Sequence, residues 1–201
     1  MGVNPHDLLK IGSVKDLMCY SPIPDWVTDS ISMAPFVVVR RARAPEGFIS
    51  VGIRGSRRSE RFAAFLPTEK MIEQITPEQL VNGRRWIGNP KEIFCWVGIV
   101  SQILENYPFT WGLAGSTGFE LSSGIETTTS NSDIDIIMRK SSRLTVSIAK
   151  RLKKELETIP VRVDVQVESN EGAFSLSEYV MSVGKNLLLR TQDGPILIKN
   201  V

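Results

Sequence analysis

The chain has 201 residues, of which 42% are hydrophobic and 23% charged, with a net charge of +2; it can bury a proper core as one domain or two small ones. Cys19 and Cys95 lie far apart with no Cys-x-x-Cys pair, so neither a disulfide framework nor a zinc site is suggested, and a reducing compartment is expected. No basic-then-apolar leader opens the chain, and the most apolar run, residues 93–100, is too short to span a bilayer, so a soluble cytoplasmic protein is expected.

Residues 25–32 read as a short helix, 36–41 as a β-branched strand, and 48–53 as a second apolar segment ending at Arg54-Gly55. The modest net charge hides an imbalance here. Between Arg40 and Arg61 stand seven arginines (Arg40, Arg41, Arg43, Arg54, Arg57, Arg58 and Arg61) against Glu46 and Glu60, and no lysine. Arginine without lysine favours bidentate contact with phosphate or carboxylate over diffuse solubility charge. Thr76-Pro77-Glu78 looks like a helix cap with proline at the first helical position. The turns at Asn82-Gly83 and Gly88-Asn89-Pro90 break the pattern and set the expected domain boundary: residues 1–88 as an arginine-bearing domain for substrate or partner, and 89–201 as the catalytic domain.

From Pro90 the signals sharpen. Apolar residues at 93, 94, 97, 100, 103 and 104 make a helical stripe that ends before Pro108. Residues 109–114 form a short strand that runs into Gly115-Ser116, and 124–131 is a Thr/Ser-rich loop. A strand over 133–138, a helix over 141–158 and a strictly alternating strand over 161–167 follow. Ser175 and Glu178 have the spacing of a capping box ahead of residues 179–183, and Gln192-Asp193-Gly194 is a hairpin signal between 187–190 and 196–199.

The chemistry is concentrated in Gly115-Ser116 and in Ser132-Asp133-Ile134-Asp135-Ile136. In a strand, the period of two puts Asp133 and Asp135 on one face and the isoleucines on the other. Carboxylates that close repel unless a cation neutralises them. Asp164, polar among the valines of the next strand, is the candidate third ligand. Gly115 and Ser116 supply backbone and hydroxyl donors for a polyphosphate. His6, the single histidine, reads equally as a surface residue or as a substrate contact, and the four tryptophans as core or interface.

A strand, Gly-Ser, a helical turn, Asp-x-Asp on the next strand and a further Asp together resemble the DNA polymerase β-like nucleotidyltransferase superfamily. Within it, the whole chain resembles the phosphoribosyl-dephospho-CoA transferase family of malonate decarboxylase, the holo-acyl-carrier-protein synthases. The residues that carry this are His6-Asp7-Leu8-Leu9, Pro35-Phe-Val-Val-Val-Arg40-Arg41-Ala42, Val51-Gly52-Ile-Arg54-Gly55 with Arg57, Arg58 and Arg61, and Trp111-Gly-Leu-Ala-Gly115-Ser116-Thr-Gly118-Phe-Glu120.

The resemblance implies an α+β architecture: a small N-terminal α/β domain and a nucleotidyltransferase-like mixed sheet with flanking helices. It implies transfer of the 2'-(5''-phosphoribosyl)-3'-dephospho-CoA group from its triphosphate precursor, 2'-(5''-triphosphoribosyl)-3'-dephospho-CoA, to a serine of the apo acyl-carrier subunit of malonate decarboxylase, with loss of pyrophosphate. Asp133, Asp135 and Asp164 would bind two Mg²⁺ ions and carry the catalysis; Gly115, Ser116, Arg54, Arg57 and Arg58 would hold phosphates. Arg40, Arg41 and Arg43 would be exposed to the carrier, and neither DNA, RNA nor membrane would be a partner. Two readings stay open on the residues alone: an ATP-using nucleotidyltransferase acting on another protein or a small molecule, and a catalytically silent binding module. The intact aspartates argue against silence.

Overall fold

The computed structural model describes residues 2–57, 59–140 and 142–200. In chain order the elements are β1 (Leu8–Lys10), α1 (Asp25–Met33), β2 (Phe36–Val39), β3 (Phe48–Arg54), β4 (Arg61–Pro67), β5 (Glu73–Ile75), α2 (Pro77–Asn82), α3 (Glu92–Leu104), β6 (Trp111–Ala114), α4 (Gly115–Ser123), β7 (Ile134–Arg139), α5 (Val146–Leu156), β8 (Val163–Glu168), β9 (Ala173–Ser175), α6 (Leu176–Met181), β10 (Asn186–Thr191) and β11 (Gly194–Lys199). The expected α+β class is what forms. Among the described residues no helix is long and apolar enough to cross a membrane.

Two sheets carry the fold. The first has the order β4-β3-β2-β1-β5, with every pairing antiparallel. Strand periodicity divides its apolar residues between two cores. Leu9, Val37, Val39, Val51, Ile53, Ala64 and Leu66 close a core with Val27 and Ile31 of α1. Leu8, Phe36 and Ile75 point the other way, into the core of the second half, and Phe36 meets Phe119 of α4 edge to face at 6.4 Å. The first sheet is thus held on both faces.

The second sheet has the order β11-β10-β9-β8-β7-β6. Only β7 and β8 run parallel, as the intervening α5 allows. Ile134, Ile136, Met138, Val165 and Val167 bury one face of this sheet in the larger core with Phe94, Val97 and Leu104 of α3 and Leu152 of α5. The opposite face of the same strands carries Asp135, Asp164, Gln166 and Glu168.

Local chemistry explains most boundaries. Thr76 accepts from the Gln79 amide while the Gln79 side chain accepts from the Thr76 amide, with Pro77 in the first turn, so α2 starts where its sequence indicates. The helix expected over 141–158 begins only at Val146, where the Thr145 hydroxyl accepts from the Ile148 amide; Ser141 lies outside the described residues. The strands β1, β4, β5 and β9 have no counterpart in the sequence reading.

Helix α2 packs on β6, and the close approach is set by a glycine. A Cβ on Gly112 would lie 2.2 Å from the Pro77 carbonyl carbon and 2.4 Å from the Glu78 nitrogen, both backbone atoms with no rotamer to change. Gly112→Ala is therefore expected to lower stability by at least about 1–3 kcal/mol, the usual range for overpacking. A denaturation midpoint equal to that of the wild type would show that α2 moves aside freely.

Candidate active site

Three neighbouring strands bring the expected acids together. Ala114, the last residue of β6, is opposite Asp135, and Asp135 is level with Asp164 on β8. Asp133 lies just before β7. Burial pushes the Asp135 carboxyl above its ordinary range, and the charges of Asp164 and Asp133 push it further; Arg54 and His6 oppose them. The first sheet therefore contributes two cationic or polar groups to the corner that the second sheet makes acidic.

Gly115 begins α4 with φ of +58°, and a Cβ there would fall 1.8 Å from Asp135 Oδ2. Residue 115 must be glycine for both reasons, since its conformation is left-handed and the carboxylate occupies the side-chain space. The helix then presents its first amides beside Asp135. Its N-cap is Ala114, which offers no side-chain acceptor, an unfavourable choice that leaves the N-terminal N–H groups available to an anion. Ser116, half-buried, stands in this first turn.

A carboxylate that the sequence reading noted only within a family stretch builds the adjoining wall. Glu120, on α4 and 7% exposed, accepts from the amides of Thr127 and Thr128 at 2.8 and 2.7 Å, from the Thr128 hydroxyl at 2.7 Å, and from Lys91 at 2.8 Å. Burial pushes its pKa up, but Lys91 and the threonine donors outweigh that and hold it at about 2. The Thr127 hydroxyl in turn donates to the Ser116 carbonyl at 3.0 Å. The Thr-rich loop is thereby folded back onto the start of α4. The available signal was a buried-face glutamate just ahead of a loop whose amides have no secondary-structure partner.

The polar face of β8 is tied to the first half. Glu168, 5% exposed, is bridged by Arg41, accepts from Gln166 Nε2 at 2.7 Å and lies 3.3 Å from His6 Nε2. Burial alone would raise the Glu168 carboxyl; His6, Gln166 and Arg41 together hold it below its usual range. His6 is itself in a left-handed conformation, φ +75°. It sits in a turn closed by Asp7, whose Oδ2 accepts from the Asn4 amide and from Gln74. Asp7 is fully buried and its Oδ1 has no partner, and burial pushes its pKa up.

The arginines are dispersed. Arg54 ends β3 near the aspartates, and Arg57 points outward, 82% exposed, pairing loosely with Glu60. Arg58 lies outside the described residues. Arg43 forks onto Asp193 in the β10–β11 turn, with one bond at 2.7 Å. Arg41 departs from expectation: its side chain is 13% exposed and spent on Glu168, because a buried carboxylate demands a partner, so it is not free for a carrier. Arg40 is exposed, with its stem against Gly52.

The donor set is chemically suited to a hard divalent cation, being all carboxylate oxygen, and the neighbouring charges of Asp164 and Asp133 add to the burial that raises the Asp135 carboxyl. Asp164 already has one, since Arg162 grips it through Nε and Nη2 at 3.0 and 2.9 Å. Among the described residues no three histidine, cysteine or acidic side chains already stand as a closed ligand set. The corner assembles the carboxylates without gathering all three onto one point.

Comparison with known proteins finds two family models along the chain. Residues 4–77 match the family model described as phosphoribosyl-dephospho-CoA transferase MdcG N-terminal domain, and residues 83–201 that of its C-terminal domain. A protein of Pseudomonas syringae pv. tomato named phosphoribosyl-dephospho-CoA transferase is 33% identical, over 98% of this chain and 92% of its own. Relatives with the same name from Azotobacter vinelandii and Klebsiella pneumoniae subsp. pneumoniae are 32% and 31% identical, over 96% and 94% of this chain. No solved structure matches.

Proposed function

Because this chain belongs to the phosphoribosyl-dephospho-CoA transferase family along both halves, we propose that it transfers the phosphoribosyl-dephospho-CoA group to a serine of the acyl-carrier subunit of malonate decarboxylase. It is a transferase, and the group it moves is the CoA-derived one for which its relatives are named. The observation that supports the mechanism is an uncapped helix start at the end of β6, with Asp135 opposite Ala114 and level with Asp164 on β8.

In the proposed reaction the carrier serine oxygen attacks the α-phosphorus of the triphosphoribosyl precursor, the bond to pyrophosphate breaks, and the serine proton leaves to solvent through a carboxylate. The amides opening α4 and the Ser116 hydroxyl receive the negative charge that grows on the departing phosphates. Arg54 approaches the same corner as a further phosphate contact, and Arg57, held only loosely by Glu60, can turn to join it. Asp133, Asp135 and Asp164 would hold Mg²⁺, which when bound neutralises the charge on the reacting phosphates. Asp164 can serve there only after Arg162 turns away. The loop pinned by Glu120 fixes the outer wall. Arg43, exposed at the rim and forked onto the equally exposed Asp193, would exchange that partner for an acidic carrier.

The direct test is to incubate the protein with Mg²⁺, the triphosphoribosyl precursor and a panel of apo acyl carriers, then to weigh the carriers. The malonate decarboxylase carrier should gain the mass of one prosthetic group, with one pyrophosphate released per carrier. A carrier that gains an adenylyl group from ATP, and nothing from the precursor, would replace this reading with ordinary nucleotidyl transfer.

A further inference from the structure

A cleft of about 590 Å³ separates β2 from the β10–β11 hairpin, a volume in the usual range for a site that encloses a small molecule. Both walls carry one pattern. On β2, Val38 and Arg40 share a face, and Val39 turns into the first core; on β10, Leu188 and Arg190 share a face, and Leu187 and Leu189 are buried in the second. Strand periodicity alone therefore sets an apolar residue followed by an arginine on each side of one opening, with Pro195 of β11 adding to the apolar floor. Arg40 and Arg190 are both exposed, and neither has an ion-pair partner among the described residues. Both arginines line the same apolar slot, and a guanidinium group is suited to bidentate contact with phosphate oxygens.

The cleft is continuous with the chemistry. His6 and Gln166 line it, Gln166 is two residues beyond Asp164 on the same face of β8, and the His6 ring lies 2.6 Å from the Gln166 amide. A ligand in the cleft reaches the aspartate corner along β8. We propose that this cleft holds the dephospho-CoA portion of the substrate, with its diphosphate between Arg40 and Arg190 and its pantetheine arm along Val38, Leu188 and Pro195. The assignment rests on the transferase reading above and extends it. It leaves the triphosphate end of the precursor at the start of α4, and it moves Arg40 from the carrier surface to the substrate.

The test separates the two ideas by using 3'-dephospho-CoA, which lacks the reacting triphosphate, as a binding probe in EDTA. Calorimetry should detect binding to the wild-type protein, and Arg190→Glu and Arg40→Glu should each weaken it about tenfold or more, as loss of a charge-assisted contact implies. Leu188→Trp, which fills the slot without altering charge, should weaken it too. In turnover, Arg190→Glu should raise KM for the precursor by a similar factor with kcat within about twofold, and inhibition by pyrophosphate should not change. If dephospho-CoA fails to bind, or binds all three folded variants as it binds the wild type, the cleft assignment is overturned even where transfer proceeds. If binding depends on Arg190 but no carrier is modified, the cleft stands and the transfer reading falls.

Discussion

Asp135→Asn is expected to reduce transfer by about three orders of magnitude or more, because an in-site carboxylate that organises transition-state charge is worth several kcal/mol. The same change should raise the melting temperature in metal-free buffer at neutral pH. Burial and the charges of Asp164 and Asp133 lift the folded pKa of Asp135 above its unfolded value. A group lifted in this way binds its proton more tightly when folded, so its ionisation destabilises the fold as pH rises through the folded pKa. Asparagine removes that charge, and its advantage should fade at acid pH, once the native aspartate is protonated in both states. Ser116→Ala, by contrast, removes one hydroxyl donor and leaves the helix amides in place, a loss of about one to two orders of magnitude. Turnover near wild type for Asp135→Asn under saturating Mg²⁺ would eliminate the aspartate mechanism. Equal defects in the two variants would give Ser116 a larger part than that of a phosphate donor.

Glu120→Ala is the substitution expected to unsettle the fold most. It strands two threonine amides and Lys91 around an empty site, and removing one member of such a set costs about 2–4 kcal/mol. Its pH dependence follows from the depressed pKa. The Glu120 carboxyl falls from about 4.5 to about 2 on folding, so the ionised group contributes stability that is complete above about pH 4.5 and disappears as pH falls toward 2, in total about 3 kcal/mol. Denaturant titrations of wild type and variant should therefore converge between pH 4.5 and 2. Parallel curves over that interval would mean that the glutamate is not the anchor. Because Thr127 also reaches the Ser116 carbonyl, the variant should raise KM for the precursor as well.

How much of this was readable in advance depends on where each residue finds its partners. Asp133, Asp135 and Asp164 were legible because strand alternation is local, and two neighbouring strands that obey it must show their acids on one side. Gly115-Ser116 was legible as a local Gly-Ser turn directly after a strand, where α4 begins. The strands β1 and β5 escaped because three residues leave no period to detect, and β4 because Ala63 and Ala64 carry little β signal; pairing with β3 over seven residues decides it. Arg41 was misjudged because its partner, Glu168, is 127 residues away, and nothing local distinguishes an arginine that meets a buried carboxylate from one that meets solvent. Glu120 was overlooked because its worth derives from the amides of a loop, which carry no side-chain signature.

The missing Cβ at residue 115 has a further consequence for how the chain can vary. Asp135 Oδ2 fills the volume that any other side chain at 115 would enter, 1.8 Å from its first carbon, so residue 115 is constrained by residue 135 but not the reverse. A lineage that abandoned the chemistry would be free to shorten residue 135 first, and only then to admit at 115 a side chain that tolerates the left-handed backbone; the reverse order drives the new side chain into the carboxylate. Across the genomes that encode this fold, the loss of the acid should therefore precede the loss of the glycine, which makes an altered residue 115 a marker of descendants that no longer catalyse transfer.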